Sequence, residues 1–215
     1  AIHNASFTLP QNQVYGFGAS FGLVYQINPK VRFGASYITE QSMDAFEWNT
    51  TAGGYEMTMD APQQLQVGFA FTPRPGLLIE ADIKQIQFSD VLGDVDFKTP
   101  AGTSVMEFGW DDQTVFAIGV QKQVNPKTQV RFGYNYGESP IGPEDVDENI
   151  GSLAVTEHHL SLGMTRQIGK KAFGSLSYVR AFANDVTSDT LNPVGEYNTI
   201  ELEQNVINLQ ITYRN

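Results

Sequence analysis

His159 and Ser161 stand two positions apart in EHHLSLGMT, and positions i and i+2 of a strand face the same side. A base and a hydroxyl on one face are the beginning of a nucleophilic site. Activation needs a third group that orients the base, and no such partner is evident in the sequence. A hydrogen-bonded histidine lining an interior is the plainer reading. Arg32, Glu80, Asp82, Lys84 and Arg131 fall on the same kind of face in their own segments. A cation placed there holds a carboxylate by charge-assisted hydrogen bonds, or else pairs with its acidic neighbours in a network, which is the simpler expectation. Ile86, Phe88, Phe108 and Trp110 line either an apolar pocket or the core of a loop cluster. The acidic sets Asp90, Asp94, Asp96 and Glu144, Asp145, Asp147, Glu148 offer hard oxygen ligands, but not at EF-hand spacing. Solvated loops are expected there, with no metal site, no cofactor and no catalytic residue assigned.

The segments that carry these residues are strands. In VQKQVNPKTQVRFGYNY (120–136), Val130, Phe132, Tyr134 and Tyr136 share one parity, and Gln129, Arg131, Gly133 and Asn135 the other. Asn125-Pro126-Lys127 between the two halves is turn chemistry, since proline pre-sets the backbone angle and cannot continue a ladder. The same hairpin recurs at Asn28-Pro29-Lys30, followed by Val31, Phe33, Ala35 and Tyr37. Alternating segments continue at 64–71, 77–84, 114–121, 159–165, 172–182 and 207–214. Beyond Lys84 the apolar residues change parity, so a bulge is expected there. Short turns and long polar loops alternate, with the loops near 48–55, 90–106, 138–157 and around Asn192-Pro193. Residues 1–13 read as the end of one such loop, and 14–215 as a single β domain.

Composition narrows what this meander does. The 215 residues carry a net charge of -11, which argues against a nucleic-acid partner, and there is no cysteine for disulfides or thiolate zinc. No run of about 18 apolar residues encodes a transmembrane helix, which leaves a closed barrel as the one way to cross a bilayer. A soluble β domain would expose a face rich in Lys and Glu, whereas the polar face here is mostly Gly, Ser, Gln, Thr and Asn. Tyr15, Tyr25, Tyr37, Phe71, Tyr136, Tyr178 and Tyr213 fall near strand ends, as interfacial aromatic belts do. The expected fold class is all-β: a transmembrane antiparallel up-and-down β-barrel with its apolar face to lipid. About nine strands are legible, and an odd number leaves two edges that lipid cannot satisfy. The chain is therefore expected to be the C-terminal part of a larger barrel.

The pieces YGFGASFGLVYQINPKVRFGASY, APQQLQVGFAFTPRPGLLIEADI, WDDQTVFAIGVQ, VRFGYNYGESPI and EHHLSLGMTRQIGKK together resemble, in order, the C-terminal portion of the FadL-type outer-membrane transporters. That resemblance implies a 14-stranded barrel plugged by an N-terminal hatch, with the hatch and five strands lying outside this chain. It implies passive uptake of hydrophobic molecules such as long-chain fatty acids across the outer membrane of a Gram-negative bacterium. Membrane lipid, lipopolysaccharide and a hydrophobic small molecule are the expected partners, with the missing N-terminal strands as a further one. Arg32, Lys84, Ile86, Phe88, Phe108, Trp110, Arg131 and His159 are the lumen candidates for ligand contact. The chain ends Tyr213-Arg214-Asn215, where such barrels usually end on an aromatic residue. Two other readings stay open: a barrel whose surface loops serve a structural or adhesive role, and an outer-membrane lipase. The lipase requires His159 on the outer wall.

Overall fold

The computed structural model describes residues 11–51 and 53–214. The assignment of residues 1–13 to a loop therefore falls largely outside the described residues. In chain order the strands are β1 (Gly16–Phe17), β2 (Ser20–Asn28), β3 (Val31–Ile38), β4 (Ser42–Met43), β5 (Phe46–Thr50), β6 (Gly53–Met57), β7 (Gln64–Arg74) and β8 (Leu77–Ile86). A single helical turn, α1 (Ser89–Leu92), precedes β9 (Asp94–Thr99), β10 (Gly102–Glu107), β11 (Gln113–Asn125), β12 (Thr128–Gly137), β13 (His158–Gln167), β14 (Ala172–Leu191) and β15 (Tyr197–Tyr213).

Nine of these form one antiparallel sheet in the order β15-β14-β13-β12-β11-β8-β7-β3-β2. Each wall strand pairs with its nearest wall neighbours in sequence, so the sheet is a meander with β2 and β15 at its edges. Cross-strand rows run continuously through it. Tyr25, Phe33, Phe69, Ala81, Ile118, Tyr134 and Leu160 lie side by side on one face. Val24, Gly34, Gly68, Asp82, Ala117, Asn135, His159 and Ala181 form a row on the other. The first face leaves large apolar side chains such as Phe69, Phe116, Leu162 and Leu209 exposed, as a wall bathed in lipid must. The grooves of the sheet run over the second, polar face, which is therefore the concave side.

The short turns share one device. Asn28 Oδ1 accepts from the backbone N–H of Lys30 at 2.9 Å, and Asn125 Oδ1 accepts from that of Lys127 at 3.0 Å. In both, the glutamine two residues earlier, Gln26 or Gln123, donates its amide to the asparagine carbonyl. A bulge sits at each of these turns, where the ladder must bend into the return strand. Gly76 closes the β7–β8 turn at φ +78°, a left-handed conformation that a side chain would strain.

Two expectations are corrected here. There is no bulge beyond Lys84: Ile86 stays in register with both Gln64 and Gln113, on the concave parity, and is buried. The change of parity in the sequence instead marks the end of the membrane wall, where an apolar residue faces inward beneath the loops. The loops read as irregular near 48–55 and 90–106 are also folded. Strands β10-β9-β6-β5 make a second, four-stranded sheet. One of its faces gathers Phe46 stacked on Trp48 and Tyr55 stacked on Phe97, while the other carries the exposed Lys98–Glu56 ion pair. The strands were missed because only five or six residues long, with polar turns close by, they give alternation little room to register.

Candidate functional site

The concave face is the candidate site. Its floor is made of residues too small to fill it: Gly34, Gly68 and Ala70 lie across adjacent strands, flanked by Arg32, Glu80 and Asp82, around a trough of about 460 Å³. Gly68 leaves room for the Asp82 carboxylate, whose Oδ1 would lie 2.0 Å from a Cβ at that position and would have to move aside for one. A second groove over Gly119 and Gly133 has Glu80 and Asp82 on one side and Asn135, His159 and Ser161 on the other.

The expected ion-pair network is not what holds these charges. Among the described residues no ion pair joins Arg32, Glu80, Asp82, Lys84 and Arg131; the two ion pairs found are Lys98–Glu56 and Arg180–Glu203. Arg32 and Glu80 stand on either side of β7, with Ala70 between them in the ladder. Asp82 instead accepts from Gln66 Nε2 at 3.4 Å. Arg131 donates to Gln121 Oε1 and Thr165 Oγ1, both at 2.9 Å, and to Gln129. It is a cation held by neutral acceptors, which fixes its position and leaves its charge uncancelled.

His159 lies on the concave face beside Asn135, with Nε2 at 3.4 Å from Thr156 Oγ1. Ser161 shares the face, yet no hydrogen bond joins the two among the described residues, and its hydroxyl lies over Gly133. The histidine on the outer wall is His158, two positions from Leu160 and with no serine beside it. The lipase arrangement, which requires His159 outside, is not the one this sheet builds.

Of the apolar candidates, Trp110 and Phe88 belong to a loop core and not to the trough. Their rings meet edge to face at 5.1 Å. Trp110 packs against Ile141, Val146, Val155 and Ile200, which are essentially sealed from solvent. Asn149, 1 % exposed, is the hub of this cluster: it accepts from Trp110 Nε1 at 2.7 Å and donates to the carbonyls of Phe108 and Asp145 at 2.6 and 2.8 Å. Phe108 thus enters through its backbone. Nothing in the sequence singled out Asn149, since a polar residue in an acidic loop looks solvated.

The acidic loop residues have opposite roles. Asp147 accepts from Asn198 Nδ2 (2.7 Å), Thr190 Oγ1 (2.8 Å) and Ser188 Oγ (3.3 Å), and these bonds hold its carboxyl below the ordinary range. Asp145 is pushed up by burial and by the neighbouring carboxylates of Glu144, Asp111 and Glu148. An acid with a depressed folded pKa stabilises above its unfolded pKa and loses that contribution as pH falls through the folded one. The tie from residues 139–157 to the β14–β15 extension should therefore hold at neutral pH and loosen below the ordinary carboxylate range. For Asp145 the sign is reversed, and falling pH relieves a cost of ionisation. Protection of the Ser188, Thr190 and Asn198 amides, measured against their intrinsic exchange rates at each pH, should fall on acidification, and in Asp147→Ala it should already be lost at pH 7; unchanged protection in that variant would show that the tie does not hold the loop.

An antiparallel wall with an apolar outer face, a polar concave face, short turns at one end and folded loops at the other defines an outer-membrane β-barrel. The chain belongs to the outer membrane protein transport protein family (OMPP1/FadL/TodX), whose model it matches over residues 3–214. The family is one of transport proteins rather than enzymes. Among solved structures, the Pseudomonas putida toluene transporter TodX is 18 % identical, with a TM-score of 0.72 over 96 % of this chain and 53 % of that one. A Pseudomonas aeruginosa FadL homologue is 16 % identical, with a TM-score of 0.75 over 91 % and 52 %. The Ralstonia pickettii toluene transporter TbuX is 19 % identical, with a TM-score of 0.59 over 92 % and 48 %. At these identities the likeness is one of fold, and the chain spans about half the length of the structures it matches. No curated protein matches it by sequence.

Proposed function

We propose that this chain forms part of the wall of a passive channel for hydrophobic small molecules, long-chain fatty acids among them, in the outer membrane of a Gram-negative bacterium. The observation that carries this reading is the trough on the concave face, with small residues on its floor and Arg32 at its side unpaired by any carboxylate among the described residues. An alkyl chain lies against Gly34, Gly68 and Ala70, and its carboxylate takes charge-assisted hydrogen bonds from the guanidinium. Lys84 and Arg131 supply further positive charge along the same face, and His159 a hydrogen-bonding group. TodX and TbuX are toluene transporters, and an uncharged aromatic would use the same floor without needing the cation.

Substitution separates the two ligand classes. In cells producing the protein, Arg32→Gln should reduce uptake of a long-chain fatty acid by about tenfold, the equivalent of one charge-assisted hydrogen bond, and leave toluene uptake unchanged. Equal uptake of fatty acid by both proteins would remove Arg32 from the pathway. No uptake of either ligand above background would favour the second reading, a barrel acting through its ordered surface loops.

The unpaired sides of β2 and β15 need partners, because lipid offers no hydrogen bonds to a sheet edge. In this reading further strands, from an N-terminal segment or a companion piece, close the barrel between them.

A further inference from the structure

Charge is divided between the two ends of this wall. Residues 25–33, 70–78, 121–131, 165–173 and 211–214 make the short turns, the strand ends that flank them and the end of β15. They carry ten of the 13 Lys and Arg and none of the 24 Asp and Glu. Glu80 and Asp82 lie within the wall, and the remaining acidic residues lie towards the loop end. A rim that only had to be soluble would mix both signs, and this chain has acidic residues in excess. The two ends do not cancel each other. Ten residues of strand, the length of β12 or β13, span roughly 33 Å at ~3.3 Å each, several times the Debye length of ~8 Å at physiological ionic strength.

Arg32, Arg131 and Arg214 of this set face the concave side. The other seven form a collar around the turn end. Lys30, Arg74, Lys127, Lys170 and Lys171 sit in or beside the turns, all exposed. Lys122 and Arg166 lie on the outer face: Lys122 stands in a cross-strand row with Leu77, Val130 and Met164, and Arg166 follows Met164 on the same side of β13. They are three residues and one residue short of the ends of β11 and β13, so their aliphatic stems run over the last of the apolar wall and carry the charge to its margin. Phe71 and Tyr213 are exposed on the same face near that margin, as the side chains of an interfacial belt are. Among the described residues none of these seven cations has a carboxylate partner.

A partner for this collar must offer negative charge beside hydrocarbon. An acidic protein docking from the aqueous side would meet the turn lysines but not Lys122 and Arg166, which adjoin the apolar band. A phospholipid has both parts, an anionic headgroup at the margin and acyl chains along Val130 and Met164. Short turns mark the periplasmic side, so the leaflet concerned is the inner one. We propose that the collar binds the headgroups of anionic phospholipids in the periplasmic leaflet, with Lys122 and Arg166 as its outward contacts. The attraction is that of a polybasic segment beside an anionic membrane surface. It rests on which end of the sheet carries the short turns and not on what the channel carries.

The test is native mass spectrometry of the detergent-purified full-length protein with phosphatidylglycerol and with phosphatidylethanolamine of the same acyl chains. The wild type should retain phosphatidylglycerol preferentially, and the double variant Lys122→Gln/Arg166→Gln should retain about tenfold less of it. Lys98→Gln, a loss of charge at the loop end, should retain as much as the wild type. Raising the ionic strength from about 0.1 to about 1 M shortens the Debye length from ~10 to ~3 Å and should remove most of the wild-type preference, a readout that stands even where the double variant does not insert. Equal retention of both lipids, a preference that survives high salt, retention unchanged in the double variant, or an equal loss in Lys98→Gln would overturn the collar. So would an acidic protein or a second copy of the chain that co-purifies with the wild type and is lost from the double variant.

Discussion

Leu162→Arg is expected to destabilise the inserted wall by about 2–4 kcal/mol, while Ser161→Arg, one residue away, should change it by less than about 1 kcal/mol. Leu162 lies on the outer face in a row with Phe132, Tyr178 and Ile207, and nearly half of its surface is open to the surroundings. It stands five positions from the end of β13, near the middle of the apolar band, where a guanidinium finds neither water nor a counter-charge. Ser161 points to the concave side, beside the groove over Gly133, where a long cation stays hydrated. Urea unfolding from phospholipid vesicles measures the difference directly. Equal costs at the two positions would mean that the sheet does not separate a lipid face from a lumen face.

The second large effect is expected at Asn149. Asn149→Ala removes the acceptor of Trp110 Nε1 and the donors to two backbone carbonyls, in a site sealed from water. Unsatisfied buried groups cost about 1–3 kcal/mol each, so the loop core should lose roughly 3 kcal/mol. That equals the upper end of what the burial of any one of Ile141, Val146, Val155 or Ile200 contributes, at about 1.5–3 kcal/mol. Residues 139–157 should detach while the wall persists. Trp110 emission should then shift to longer wavelength and amide exchange of the loop should become fast, with the strand ladders still protected. A variant that keeps the wild-type emission would show that apolar contacts alone hold the loop down.

The wall was legible in the sequence because a strand's side chains alternate and a bilayer demands the alternation over whole segments. A one-residue slip would place Arg131 among lipid tails and Phe132 in the lumen, so patterning and register are tied together. The repeated Asn-Pro-Lys turns were legible for a similar reason, since their chemistry is local: an asparagine side chain and a proline act within three residues. The family followed from these strands taken in order.

The loops were not legible, because their partners lie far apart in the chain. Asn149 reaches Phe108 and Trp110, Asp147 reaches Ser188, Thr190 and Asn198, and β6 pairs with β9 across some forty residues. No window of sequence contains both halves of such contacts. The lumen charges show the same limit. Parity placed Arg32, Glu80, Asp82, Lys84 and Arg131 on one face, but not which groups they meet there: Arg131 is held by Gln121, Thr165 and Gln129, and Asp82 by Gln66. Arg180 announced itself in the sequence only as an exception to the apolar parity. Its neighbours, Leu160 on one side and Asn205 on the other, come from the register of β13, β14 and β15, which the tertiary structure alone decides. Alternation along one strand fixes which side a residue faces; the register between strands fixes what it meets there.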